Sequence, residues 1–329
     1  MTSDPLKQAH DMSSAPVRVV VVGTGHVGST FAYTLLLSGL ASEIVLVDVD
    51  RERAKGEAMD LNHAVPFGHP TTVRVGDYSD CAEAAVTVIT AGVAQKPGES
   101  RLDLVKRNAA IFEKIIPAID QHNPQGHLVI TSNPVDVLTW VAQRLSSLEP
   151  SRVIGSGTVL DTARFQYLLG QHYQVDPRDV HAYIVGEHGD TEVPVWSLAN
   201  VAGMRLPQFC AAHGMEHDQC AMDELFEQTR SAAYEIIERK GSTYYAIAAG
   251  LLRVVEAIVR DQRSVLTVSS QLDGAYGIDD VCLSLPCVVG RNGIERRLDV
   301  ELDEDELAGL RESARVLHEI IEQLDISST

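Results

Sequence analysis

Basic residues are scarce in this chain: 27 Lys and Arg face 46 Asp and Glu among 329 residues, a formal net charge of −19. A nucleic-acid partner needs a basic face against its phosphates, so this balance argues against one. An anionic substrate would have to be met by individually placed arginines. Apolar runs are short as well. None approaches the roughly 18–20 residues of a membrane span, and the opening MTSDPLKQAHDMSSAP lacks the apolar core of a signal peptide. Residues 1–16 read as a flexible extension. Cysteine is limited to Cys81, Cys210, Cys220, Cys282 and Cys287, with no C-x-x-C pair. An odd number so spaced points to reduced thiols in a cytoplasmic protein rather than to a disulfide framework. Internal repeats and low-complexity linkers are absent too.

What is present is a globular composition, 45% hydrophobic and 22% charged, on a chain long enough for two domains. Through the first half, short apolar runs alternate with helical patterns. VRVVVVG (17–23), EIVLVD (43–48), VTVITAG (86–92) and HLVITS (127–132) are continuous and β-branched rather than alternating. Strands buried on both faces have this character, which predicts a doubly wound parallel sheet of the α/β class. Near residue 155 the pattern changes. A helix near 158–172, a helical region over 218–260 broken at KGST, strands at SVLTVSS and VCLSLPCVVG, and a helix near 303–324 predict an α+β second domain over 156–329.

VVVVGTGHVGS places Gly23, Gly25 and Gly28 as G-x-G-x-x-G between an apolar strand and a helix. The first glycine permits the tight turn, the second admits a pyrophosphate to the backbone, and the third lets helix and strand pack closely. Asp48 ends the second strand, about 20 residues after Gly28, where an acid can accept hydrogen bonds from both ribose hydroxyls. It would repel a 2′-phosphate, so the expected cofactor is NAD rather than NADP.

Two further stretches carry chemistry. GSGTVLDTARF (155–165) sets Asp161 and Arg164 three apart on one helical face, and VGEHGDTEVP (185–194) sets His188 beside Glu187 and Asp190. Taken alone, the first is an ordinary surface ion pair and the second a metal ligand, a proton shuttle or a polar turn. An NAD site narrows the options. Reduction of a carbonyl needs a proton delivered to its oxygen, which a carboxylate-held histidine can supply. An arginine can grip a carboxylate with two parallel hydrogen bonds, and another can polarise the carbonyl. Arg101 offers the latter, at the end of a loop containing Pro97 and Gly98.

The joint occurrence of GTGHVGS, TAG with QKPGESRLDLVKRN, TSNPVD, GSGTVLDTARF, GEHGDTEVPVWS and KGSTYYAIA resembles the NAD-dependent L-lactate dehydrogenases of bacterial type, within the lactate/malate dehydrogenase family. The likeness runs from about Val17 to the last helix. It implies that His188 is the proton donor and acceptor, Asp161 its orienting partner, Arg164 the substrate-carboxylate ligand and Arg101 the carbonyl-polarising arginine. It also implies that Asn133, preceding a cis Pro134, and Thr243 line the substrate side, and that Val27, Thr90, Gly92 and Asn133 join the glycines and Asp48 around NAD.

Gln95 discriminates between substrates. The resembling malate dehydrogenases carry an arginine there for the distal carboxylate of oxaloacetate; a neutral residue leaves that carboxylate unpaired, at a cost of several kcal/mol. Pyruvate and L-lactate are therefore expected. Many bacterial members bind fructose 1,6-bisphosphate between subunits through an arginine and a histidine, positions held here by Gln166 and His181. A neutral amide loses the charge-assisted grip on phosphate, so activation is expected to be weak or absent. The likeness further implies a homotetramer. A metal-dependent, NAD-using glycosidase is disfavoured because no cysteine lies close to His188 in sequence, so no metal is expected. An NAD-sensing module without catalysis would not need His188, Asp161, Arg164 and Arg101 together.

Overall fold

The computed structural model describes residues 16–94, 98, 100–324 and 326. The expected extension 1–16 and Gln95 lie outside these, apart from Pro16. The first half alternates strands and helices: β1 (Arg18–Val22), α1 (His26–Ser38), β2 (Glu43–Val47), α2 (Arg51–Ala64), β3 (Thr72–Val75), β4 (Ala84–Ile89), α3 (Arg101–Asp120), β5 (Leu128–Ile130), α4 (Val135–Leu145) and β6 (Val153–Gly155). All six strands pair in parallel.

Side-chain alternation explains why these strands look uniformly apolar. On β1, Val20 and Val22 enter a core shared with α3 and α4, while Val19 and Val21 enter a second core shared with α1 and α2. On β2, Val45 and Val47 take the first side and Ile44 and Leu46 the second. With a helical layer on each face, neither set of positions can be polar. Each fully buried aliphatic or aromatic side chain contributes about 1.5–3 kcal/mol.

The second half continues with α5 (Val159–Tyr173), β7 (Val180–His181), β8 (Ile184–Val185), β9 (Val193–Pro194), β10 (Asn200–Val201), β11 (Met204–Arg205), α6 (Leu206–Ala212), α7 (Gln219–Lys240), α8 (Tyr245–Val259), β12 (Ser264–Asp273), β13 (Asp279–Gly290), β14 (Gly293–Arg297) and α9 (Glu304–Ile321). The two long strands anticipated here do not form a sheet of their own. With β14 they extend the parallel sheet antiparallel from β6, giving the nine-stranded order β14-β13-β12-β6-β5-β4-β1-β2-β3. The join is a single register pair, Ser269 opposite Gly155. A third core around Phe165, Leu169 and Phe209 packs α5 and α6 onto the short strands.

Two local signals set the ends of the long helices. The break at KGST separates α7 from α8, with Gly241 left-handed at φ 84°. Asp303 and Glu306 close a capping box at the start of α9. All five cysteines are free thiols. Among the described residues, no helix is long and apolar enough to cross a membrane.

Candidate active site

The glycine-rich turn between β1 and α1 is built around close approach. A Cβ on Gly28 would lie 1.9 Å from the Gly23 carbonyl oxygen and 2.7 Å from Thr90 Oγ1, and one on Gly23, whose φ is +99°, would lie 2.6 Å from the Ala91 nitrogen. Thr90 Oγ1 donates to the Gly23 carbonyl at 2.8 Å and so ties β4 to the turn. Gly25 differs: a Cβ there meets nothing within 4 Å. It borders a cavity of about 490 Å³ whose lining also includes Gly23, Asp48, Thr90, Gly92 and Val93. The Asp48 carboxylate accepts from Thr24 N at 2.6 Å, from Thr24 Oγ1 at 2.8 Å and from Asp50 N at 2.9 Å. Burial opposes its charge, but these hydrogen bonds and Arg53 hold the carboxyl below its ordinary range. An ionised acid beside an open glycine edge at a helix N-terminus fits a dinucleotide whose ribose is unphosphorylated.

A second cavity, of about 380 Å³, is lined by Arg101, Asn133, Asp161, Arg164, His188 and Glu192, among others. A smaller one joins Val27, Asn133, Arg164, His188 and Thr243. His188 enters from the turn between β8 and β9, and its Nδ1 stands 2.5 Å from Asp161 Oδ2. The other carboxylate oxygen of Asp161 accepts from Arg164 Nη1 at 2.9 Å. One buried acid on α5 thus holds the histidine and the arginine together. This is no surface ion pair, since Asp161 is 2% exposed.

The ring of His188 remains 25% exposed, and with Nδ1 committed to Asp161 it is Nε2 that is left to exchange a proton. Burial disfavours the imidazolium, yet the Asp161 carboxylate outweighs that cost and lifts His188 to about 9. The same pairing, with Arg164 adding to it, keeps Asp161 below the usual carboxylate range against its own burial. Asn133 precedes a cis Pro134, as the resemblance implies, and its carbonyl accepts from Asn108 Nδ2 at 2.8 Å.

Arg101 opens α3 behind the Ser100 N-cap and pairs with Glu187, which is buried and also accepts from Thr191 Oγ1. Gln166 donates to the Ala182 carbonyl at 3.1 Å, one residue from the exposed His181. The two anticipated effector positions therefore lie on neighbouring segments.

Several site groups escaped the sequence reading. Asp136, buried in the first turn of α4, accepts from the His188 backbone nitrogen at 2.7 Å and fixes the turn that carries the histidine. Only its place beside TSNP hinted at this. Arg230 and Tyr234 arrive from α7, where Tyr234 Oη donates to Asp190 at 2.9 Å. Glu192, four residues after His188, is 7% exposed and borders the cavity. Nothing in the spacing of these residues marks them.

The family models for the lactate/malate dehydrogenase NAD binding domain and alpha/beta C-terminal domain match residues 17–155 and 158–325. The L-lactate dehydrogenase of Acetivibrio thermocellus is 54% identical over 309 residues, covering 94% of this chain and 98% of that protein. L-lactate dehydrogenase 1 of Clostridium acetobutylicum is 47% identical, covering 93% and 98%. Among solved structures, the minor L-lactate dehydrogenase of Enterococcus mundtii superposes with a TM-score of 0.92 at 40% identity, over 95% of this chain and 99% of that one. With a dinucleotide cradle, an acid-held histidine and matching family models over nearly all of its length, this chain belongs to the lactate/malate dehydrogenase family.

Proposed function

We propose that this protein is an L-lactate dehydrogenase that interconverts pyruvate and L-lactate with NAD. The observation that carries the reading is the chain His188–Asp161–Arg164 in one cavity, with Val27 and Asn133 linking that region to the dinucleotide turn. NADH, when bound, supplies the hydride. Arg164 receives the substrate carboxylate and so orients the 2-oxo group, and its contact with Asp161 stiffens it for that task. His188, an imidazolium at neutral pH, gives its Nε2 proton to the carbonyl oxygen; Asp161 stabilises the cation before transfer and keeps the ring in place. In lactate oxidation the same nitrogen takes the proton back. Arg101 polarises the carbonyl once it exchanges Glu187 for substrate. Gly23, Gly25, Gly28, Asp48, Thr90 and Gly92 hold the cofactor, and Thr243 closes the substrate side.

Selection of pyruvate over oxaloacetate is assigned to Gln95 on the charge argument from the sequence. The working form is a homotetramer, each subunit comprising a Rossmann half, residues 17–155, and a substrate half after it. Fructose 1,6-bisphosphate acts weakly or not at all because Gln166 brings no charge. The deciding experiment compares NADH oxidation with pyruvate and with oxaloacetate in the wild type and in His188→Ala. Expected are a strong preference for pyruvate and a loss of turnover in the variant with NADH binding retained. Full turnover in His188→Ala, or preference for oxaloacetate, would refute the assignment.

A further inference from the structure

Glu192 is a buried acid whose Oε1 has no hydrogen-bond partner among the described residues. Such an atom is costly unless the group is neutral or something else meets it. It borders the substrate cavity together with His188 and Arg164. The charges around that cavity come from every element against it: Asp161 and Arg164 from α5, His188 and Asp190 from the β8–β9 turn, Arg230 and Tyr234 from α7, Arg101 from α3, and, behind His188, Asp136 from α4.

Their balance is informative. Arg101 is neutralised by Glu187 and Arg230 pairs with Glu227, while Asp190 accepts from the neutral Tyr234 hydroxyl and keeps its negative charge at the α7 side of the cavity. Asp161 is shared by two cations, protonated His188 and Arg164, so this group of three, taken by itself, carries one net positive charge where Glu192 borders it. One monocarboxylate substrate matches it. An ionised Glu192 would cancel that charge from inside the protein.

We propose that Glu192 governs anion binding in the substrate pocket: the carboxylate of a 2-oxo acid enters while Glu192 carries a proton, and ionised Glu192 excludes it. This rests on the functional reading above. Burial, reinforced by the Asp161 carboxylate and only partly offset by His188, Arg164 and Arg230, pushes Glu192 up to about 8. The proton is therefore held at neutral pH and released just below the range in which His188 loses its own.

The test uses oxamate, an unreactive pyruvate isostere, bound to the full-length enzyme loaded with NADH and followed by quenching of NADH fluorescence from about pH 6 to about pH 10. In the wild type, Kd rises about tenfold per pH unit above the Glu192 range and steepens toward about a hundredfold per unit once His188 also titrates. Glu192→Gln shows one proton only, and takes up fewer protons from an indicator dye on binding oxamate near pH 8.5. Glu192→Asp restores the two-proton slope.

A single-proton slope in the wild type, or equal proton uptake in wild type and Glu192→Gln, overturns the proposal. The wild-type slope decides even if a substitution prevents folding. Absence of both oxamate binding and pyruvate turnover at every pH overturns the functional reading, and this inference with it. Oxamate binding with one proton overturns this inference alone.

Discussion

Asp161→Asn isolates the charge that the site is built on, because the amide keeps the shape of the side chain and removes only the ionisation. In the native protein that charge holds His188 near 9 rather than its ordinary 6.5, a difference of about 3 kcal/mol in favour of the imidazolium. Without it, burial is opposed only by the weaker pull of the Asp136 and Glu192 carboxylates, and the folded-state pKa of His188 should fall below its ordinary 6.5. At about pH 7.5 fewer than about one in ten molecules would then carry the proton that pyruvate reduction consumes. kcat/KM for pyruvate should fall at least about tenfold at that pH, and further because the imidazolium is no longer stabilised during transfer.

The profile is more telling than the loss. The alkaline limb, set in the wild type by groups titrating between about 8 and about 9, should move below about pH 6.5. Stability follows the same sign. A histidine whose folded-state pKa is raised stabilises fully below its unfolded value and loses that contribution as pH climbs through about 9. Urea midpoints of wild type and Asp161→Asn should therefore differ most near pH 6 and converge toward pH 10, leaving only the share of the Arg164 contact. Steady-state kinetics and urea unfolding across that range provide the assay. An unshifted alkaline limb, or a stability gap that widens with pH, would refute the reasoning.

Gly25→Ala should fold with stability within about 1 kcal/mol of wild type, since its Cβ enters open space, yet bind NADH at least about tenfold more weakly; Gly28→Ala, whose Cβ would strike the Gly23 carbonyl at 1.9 Å, should lower the Tm or fail to fold. Equal effects of the two on folding would contradict the close-packing argument. Asp48→Ala should raise the NADH Kd by about one to two orders of magnitude and reduce discrimination against NADPH, read by fluorescence titration with both cofactors. Micromolar fructose 1,6-bisphosphate at neutral pH should raise activity by less than about tenfold. Larger activation would show that Gln166 does not disable the effector site.

Legibility differed by the distance over which each feature is encoded. The nucleotide half could be read because its signals are local: an apolar strand, a glycine turn, a helix and an acid about 20 residues on are consecutive on the chain, and both sheet faces are buried, so every strand stands out. His188, Asp161, Arg164 and Arg101 were named from motifs, but their sharing of one cavity, with a single carboxylate bridging histidine and arginine, is a fact of tertiary packing. The extension of the parallel sheet by β12, β13 and β14 hangs on one register pair, for which the strand sequences carry no address.

The sequence by itself determined the fold class and the cofactor, and it singled out His188 as the histidine proposed to react. Tertiary structure alone decided that Asp136, on α4, holds the backbone of His188, and that Glu192 is buried among the catalytic charges rather than solvated in a turn. The physical reason is that a side chain's residue type is written in the chain, whereas its solvation and charge environment are properties of whatever the fold brings to its side.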